Sequence, residues 1–133
     1  MNIVEEIVWF RQELKRQVNP KRAEGEKKYL KSPWKFYGVD MSRRRVIVNQ
    51  WFKDHPKIEI PELEKLAEKL WDSQWHDEKT IAIMILAEKK KHLTVSHMPF
   101  IEIMIKEATG WDHLDEIAAH LVGAMIENDP KAI

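Results

Sequence analysis

The chain has no cysteine among its 133 residues, which removes disulfides and thiolate metal sites from consideration. That absence is compatible with a reducing compartment, and a cytoplasmic location is expected. Glycine (4) and proline (6) are scarce, too few for the many tight turns of an all-β fold. No apolar run could cross a bilayer. Glu5 and Glu6 interrupt Met1–Phe10, where a secretory signal would carry an unbroken apolar core, so no membrane association is expected. Phosphate loops, dinucleotide fingerprints, serine elbows and zinc motifs are missing, and no cofactor is expected. Net charge is also missing, with 22 Lys and Arg against 22 Asp and Glu, but the balance is uneven along the chain. Residues 1–60 hold 14 basic and 8 acidic residues, and residues 61–133 hold 8 and 14. A basic half can contact phosphates where an acidic half cannot; the same asymmetry also fits a dipolar surface with no ligand.

What is present points to helices. Hydrophobic residues make up 44% and charged residues 33%, the composition of a folded domain with a modest core. Ile3, Ile7, Phe10, Leu14 and Val18 form one helical stripe over residues 2–18. Asn19-Pro20 supplies an N-cap and a first-turn proline for a helix through Ala23, Tyr29 and Leu30. Ser32 to Asp40 reads as a loop broken by Pro33 and Gly38. Asp40 or Ser42 caps a third helix to about Asp54, and His55-Pro56 ends it. Ile60-Pro61 opens a helix burying Leu63, Leu66, Ala67 and Leu70. Another runs from about Asp77 to Lys91, with Ile81, Met84, Ile85 and Glu88 at helical intervals. Thr94 or Ser96 caps a helix with Pro99 in its first turn, Gly110 breaks it, and a last helix spans about Asp112 to Glu127. Val46-Ile47-Val48 is the best candidate strand, and it too sits in a helical pattern. About seven helices with short links predict an all-α fold. Two helices per roughly 40 residues suggest HEAT-like repeats in an α-α superhelix, with an ordinary helical bundle as the alternative.

The candidate chemistry lies in Thr109-Gly110-Trp111-Asp112-His113-Leu114-Asp115. Trp111 and Asp115 are four apart, so a helix places them on one face. An indole beside a carboxylate suits stabilisation of a developing positive charge. The structural alternative is that Asp112 or Asp115 caps the helix while Trp111 fills the core. Of the six tryptophans, Trp9, Trp51 and Trp71 fall on apolar stripes and are expected in the core. Trp34 sits in an aromatic and basic loop with Lys31, Lys35, Phe36 and Tyr37. Such a loop can touch a nucleic-acid backbone or simply pack onto the domain. Arg43-Arg44-Arg45, Lys27-Lys28 and Lys89-Lys90-Lys91 are basic clusters. Three consecutive helical residues fan over about 200°, so only one or two of each set could meet a phosphate. His113 and His120 share a rough face without a third ligand, and no metal is expected.

Several of these segments together resemble one family. Lys28-Tyr29-Leu30-Lys31, Phe36-Tyr37-Gly38-Val39, Arg43-Arg44, Leu70-Trp71-Asp72, Lys90-Lys91-His92, His97-Met98-Pro99-Phe100 and Trp111-Asp112-His113-Leu114-Asp115 follow in order across residues 20–133. The series resembles the bacterial alkylpurine DNA glycosylases built from HEAT-like repeats, the AlkD-like DNA alkylation repair enzymes. The resemblance implies excision of N3- or N7-alkylated purines from double-stranded DNA. It implies Asp115 as the catalytic carboxylate and Trp111 as the aromatic wall beside the sugar. Tyr29 is implied as a lesser contact near the lesion, and Arg43 or Arg44 as a phosphate contact. It further implies work on an exposed sugar with the base still stacked.

Two departures qualify that picture. Asp40 stands where relatives often carry a polar, uncharged residue. Relatives also continue well beyond the point where this chain stops, so residues 1–133 are expected to form one domain that is the N-terminal part of a longer array. In that case the last helix would expose an apolar face, through Ile117, Leu121, Met125 or Ile126, and could drive self-association. The neutral charge keeps a second class open, a non-catalytic HEAT-like module that binds DNA or a protein partner.

Overall fold

The computed structural model describes residues 1–129, and its first three helices each begin at a side chain that caps them. Asn2 opens α1 (Ile3–Arg16) by accepting from the Glu5 N–H at 3.2 Å; acidic residues fill the first turn and basic ones the last, as the macrodipole favours. Asn19 caps α2 (Pro20–Leu30) through the Arg22 N–H, and Lys31 closes it in the left-handed region at φ 51°. Asp40, rather than Ser42, caps α3 (Met41–Asp54) through the Arg43 N–H at 2.8 Å. The prolines at 61 and 99 sit in the first turns of α4 (Ile60–Trp71) and α6 (Met98–Glu107), where no intrahelical N–H is lost. Between α5 (His76–Glu88) and α6 lie two single 3-10 turns, Lys90–His92 and Val95–His97. α5 therefore stops before Lys91, and the three lysines leave it in a tighter turn. α7 (Trp111–Glu116), a π-helical segment (Ile117–Val122) and α8 (Gly123–Asn128) run on without a break. Counting that rod once, the described residues form seven helices and no strand, the all-α fold expected from the sequence. Val46-Ile47-Val48 is helical.

α5 is the axis of the packing. Its contact with α4 is the most extensive in the fold, and α1, α3, α7 and the π-helical segment also touch it. Every residue from His76 to Leu86 is consequently buried. A helix buried on all sides has no polar face to spare, and the uninterrupted run Ile81–Leu86 meets that demand. Around it the core gathers Phe10 and Leu14 of α1, Trp51 of α3, Leu63, Leu66 and Leu70 of α4, and Ile117 and Leu121 of the π-helical segment. Trp51 and Trp71 are core residues, as expected, and Trp9 packs against the core only partly buried. Val18 falls outside α1 and is exposed.

One expectation is overturned at the C-terminal end. Ile117, Leu121 and Met125 are buried against the rest of the chain, and only Ile126 remains partly exposed at 37%. The face expected to drive self-association is already used for intramolecular packing.

The loop between α2 and α3 is held at both ends. The Asn19 N–H donates to the Tyr37 carbonyl, and Lys35 pairs with the link before α5, donating to Gln74 O and accepting from the His76 N–H, both at 2.8 Å. Gly38 has φ +78°, and a Cβ there would lie 2.2 Å from the Asn19 carbonyl. Only glycine fits that crossing of loop and helix.

Candidate DNA-facing site

The first turn of α5 reads His-Asp-Glu-Lys-Thr, and all five residues are buried. Buried charge is tolerated only when paired and hydrogen-bonded, and each charged member here has partners. Asp77 accepts from the Tyr37 and Val39 N–H groups at 2.8 and 3.1 Å and pairs with the buried Arg44 at 3.2 Å. Glu78 accepts from the Tyr37 hydroxyl at 2.7 Å and from Arg11 at 3.1 Å. Burial, with the Glu78 carboxylate beside it, pushes the Tyr37 phenol far above its ordinary range. Lys79 donates to the Trp71 carbonyl at 2.6 Å and lies over the Trp34 and Trp71 rings at 4.2 and 4.6 Å. Burial lowers its pKa. This turn welds the aromatic loop to the domain. Phe36 stacks on His76, Tyr37 stacks on Trp75, and Trp34 donates to Thr109 Oγ1 at 3.1 Å. Of the two readings open for that loop, packing onto the domain is the one observed.

Thr109 begins the segment that carries the candidate chemistry. A Cβ at Gly110 would lie 2.8 Å from Asp112 Oδ1 and in ordinary contact, at 3.5 Å, with the Leu30 side chain. The end of α2 and the start of α7 therefore meet at adjacent residues, with Tyr29 next to one contact and Trp111 next to the other. Tyr29 is 85% exposed and Trp111 is 78% exposed, so neither fills the core. Asp115 is exposed one turn further along the same helical rod. Gly110 is the N-cap of α7 and no side chain caps it, so neither Asp112 nor Asp115 has the capping role.

Asp112 faces inward instead. Its Oδ2 lies 2.8 Å from His76 Nε2, and His76 is stacked between Phe36 and His113 with centroids at 4.4 and 4.1 Å. Burial raises the Asp112 pKa, but His76 and His113 beside it outweigh that and hold it below the usual carboxylate range. Burial, with His76 close by, drives the His113 pKa well down and keeps its imidazole neutral. Sequence spacing tied His113 to His120, yet the structure separates them. His113 is buried, while His120 is exposed and pairs with Glu116 at 3.1 Å. No local signal connects His76 to Asp112; only the all-apolar run after His76 hinted that the turn before it would be buried too.

The two arginines part company. Arg43 is exposed at the start of α3, with Asp40 3.7 Å away, while Arg44 turns into the core between Asp77 and Glu26. Arg44 is thus not presented to a ligand. A cleft of about 400 Å³ between α4 and α6 carries the carboxylates Glu64, Glu68, Asp72 and Glu107 on its walls, and neither Trp111 nor Asp115 lines it. Such a lining repels phosphate.

The described residues thus form an all-helical fold that exposes an indole, Trp111, and a carboxylate, Asp115, on the first two turns of one rod. A model of the DNA alkylation repair enzyme family matches residues 10–133, and the chain belongs to that family. No curated protein matches it.

Proposed function

We propose that this chain belongs to a HEAT-like alkylpurine DNA glycosylase, with Asp115 as its catalytic carboxylate and Trp111 as the wall beside the sugar. The observation that carries the reading is the exposure of Trp111 and Asp115 together on the first two turns of one rod. An exposed indole beside an exposed carboxylate offers a ligand both an apolar face and a negative charge. The family supports DNA as the partner, and in this reading the DNA is double-stranded.

The chemistry follows from the substrate class. A purine alkylated at N3 or N7 is already cationic, so it departs without prior protonation. What remains is the positive charge that builds on the sugar. The Asp115 carboxylate stabilises that charge and orients or deprotonates the attacking water. The Trp111 face adds a cation–π contribution of roughly 0.5–2 kcal/mol. Neither group needs an enclosed cavity, which agrees with a base left in the stack. Tyr29, beside the Leu30–Gly110 contact, is the lesser lesion-side contact. Of the two arginines, the exposed Arg43 is the one able to reach a phosphate.

The test is release of 7-methylguanine and 3-methyladenine from methylated duplex DNA. The chain is expected to release them, and Asp115→Asn to slow release by roughly 10²–10³-fold, the usual loss when a charge-stabilising group is removed. An equal rate in Asp115→Asn would refute the assignment. No release by either protein, with salt-sensitive DNA binding retained, would favour the non-catalytic module.

A further inference from the structure

We propose that Asp112 is a positioning residue, whose carboxylate, held by His76, fixes the rotation of α7 and so sets where Trp111 and Asp115 stand. Successive side chains leave a helix about 100° apart, so the mean direction of Asp112 and His113 is roughly 130° from that of Trp111 and Asp115. Whatever holds the first pair therefore aims the second. Both members of the first pair grip the start of α5. Asp112 Oδ2 lies 2.8 Å from His76 Nε2, and His113 Nε2 lies 2.8 Å from Thr80 Oγ1, one turn further along α5. The start of α7 has little else to hold it. No side chain caps it, and its first backbone bond, from the Leu114 N–H to the Gly110 carbonyl, is long at 3.3 Å.

The anchor itself is rigid. His76 is buried, and its ring is clamped between the rings of Phe36 and His113. Phe36 in turn belongs to the loop whose Lys35 backbone is bonded on either side of Trp75, to Gln74 and His76. The imidazole cannot turn without disturbing that loop and α7 together. Asp112 meets it as a charged group. Burial works against ionisation, but the His76 hydrogen bond and the nearby His113 outweigh it and hold the carboxyl low. Gly110 leaves the room this contact needs, since a Cβ there would lie 2.8 Å from Asp112 Oδ1. The Asp112 side chain sits at the edge of the cluster, 38% exposed, so its removal opens no hole in the core.

The catalytic consequence rests on the glycosylase reading; the anchoring does not, and the two are measured separately. In amide hydrogen exchange, Asp112→Ala should lower protection of the Leu114 and Asp115 N–H groups by roughly tenfold or more, the weight of one lost hydrogen bond to a charged group. Ile83 and Ile85, in the buried middle of α5, should keep theirs. In release of 7-methylguanine, the same variant should lower kcat by roughly 10–10²-fold, the cost of a misplacement of about 1 Å, with KM for DNA unchanged. Asp112→Asn keeps an oxygen that accepts from His76 and should fall between the parent and Asp112→Ala in both measurements. His120→Gln, which removes the exposed His120–Glu116 pair on the same rod, should match the parent. Unchanged exchange at Leu114 and Asp115 overturns the proposal, and so does protection lost equally in α5, the mark of general destabilisation. An Asp112→Asn no better than Asp112→Ala also overturns it, because the aspartate would then act only as a charge near the helix N-terminus. A parent that releases no base, with exchange as expected, refutes the glycosylase reading and leaves the anchor standing. A parent that releases base as fast as Asp112→Ala refutes the positioning role.

Discussion

At the scale of the residue, the charges that matter most are those the sequence makes look ordinary. His76-Asp77-Glu78-Lys79 resembles the solvated first turn of a surface helix, acidic residues near the N-terminus included. The structure buries it, and partners 38 to 41 positions away, Tyr37 and Val39, make that burial affordable. No spacing rule reaches so far along a chain. Trp111 and Asp115 were legible because they lie one turn apart on one helix; His76 and Asp112 were not. Arg44→Met tests the buried pairing. It strands Asp77, which has no exposure, and is expected to cost about 3–5 kcal/mol in urea unfolding, whereas Arg43→Met should stay within about 0.5 kcal/mol of the parent. Tyr37 offers a titration. Its folded-state pKa is raised above the ordinary phenol value of 10.0, so the folded chain keeps a proton that the unfolded chain releases above that pH. Its contribution to stability is full below pH 10 and declines as pH rises further. The chain has 2 tyrosines, so in Tyr29→Phe the remaining phenol is Tyr37. Phenolate absorbance in that variant should appear only together with alkaline unfolding; a separate, earlier rise would contradict the burial argument.

Helical elements were far more legible than their faces. Asn19-Pro20, Asp40, Ile60-Pro61 and Gly110 mark helix starts because capping and first-turn chemistry is local. The rotation of each rod about its axis is a tertiary matter. Ile117, Leu121 and Met125 form a clear apolar stripe, but the sequence could not say whether the chain itself covers it; the core around α5 does. The two glycines at 25 and 38 separate local from tertiary constraint in one experiment. Gly25 lies inside α2, where an added Cβ meets nothing within 4 Å. Gly25→Ala should therefore stabilise the protein by about 0.5–1 kcal/mol through helix propensity. Gly38 has φ +78° and the Asn19 carbonyl in the way. Gly38→Ala should lose about 1–3 kcal/mol to backbone strain alone, with the clash in addition. Urea midpoints moving in opposite directions would support this account; equal midpoints would mean that the loop yields, and that its crossing with α2 is not the constraint described.

Across the whole molecule, zero net charge and a DNA partner are reconciled by where the charges lie. The basic excess belongs to residues 1–60 and the acidic excess to residues 61–133. The candidate site takes one part from each. Tyr29 and Arg43 come from the basic half, Trp111 and Asp115 from the acidic half. The role proposed for Asp115, stabilising positive charge, is reinforced by acidic surroundings, and the proposed phosphate contact, Arg43, comes from α3 in the basic half. The acidic cleft between α4 and α6 marks a face that DNA should avoid. Of the three consecutive arginines, Arg44 is buried against Asp77, which leaves Arg43 and Arg45 on the surface. Binding to duplex DNA should weaken with salt, with a slope of log K against log salt of about −0.9 per phosphate neutralised. Arg43→Gln should flatten that line by about 0.9 if Arg43 meets one phosphate. Glu68→Gln, in the acidic cleft, should shift affinity slightly and leave the slope unchanged. The measurement is fluorescence anisotropy of a labelled duplex over a range of salt concentrations. An unchanged slope in Arg43→Gln would remove Arg43 from the interface. A slope that responds to Glu68→Gln instead would place the DNA across the acidic half, and the division of labour between the two halves would have to be abandoned.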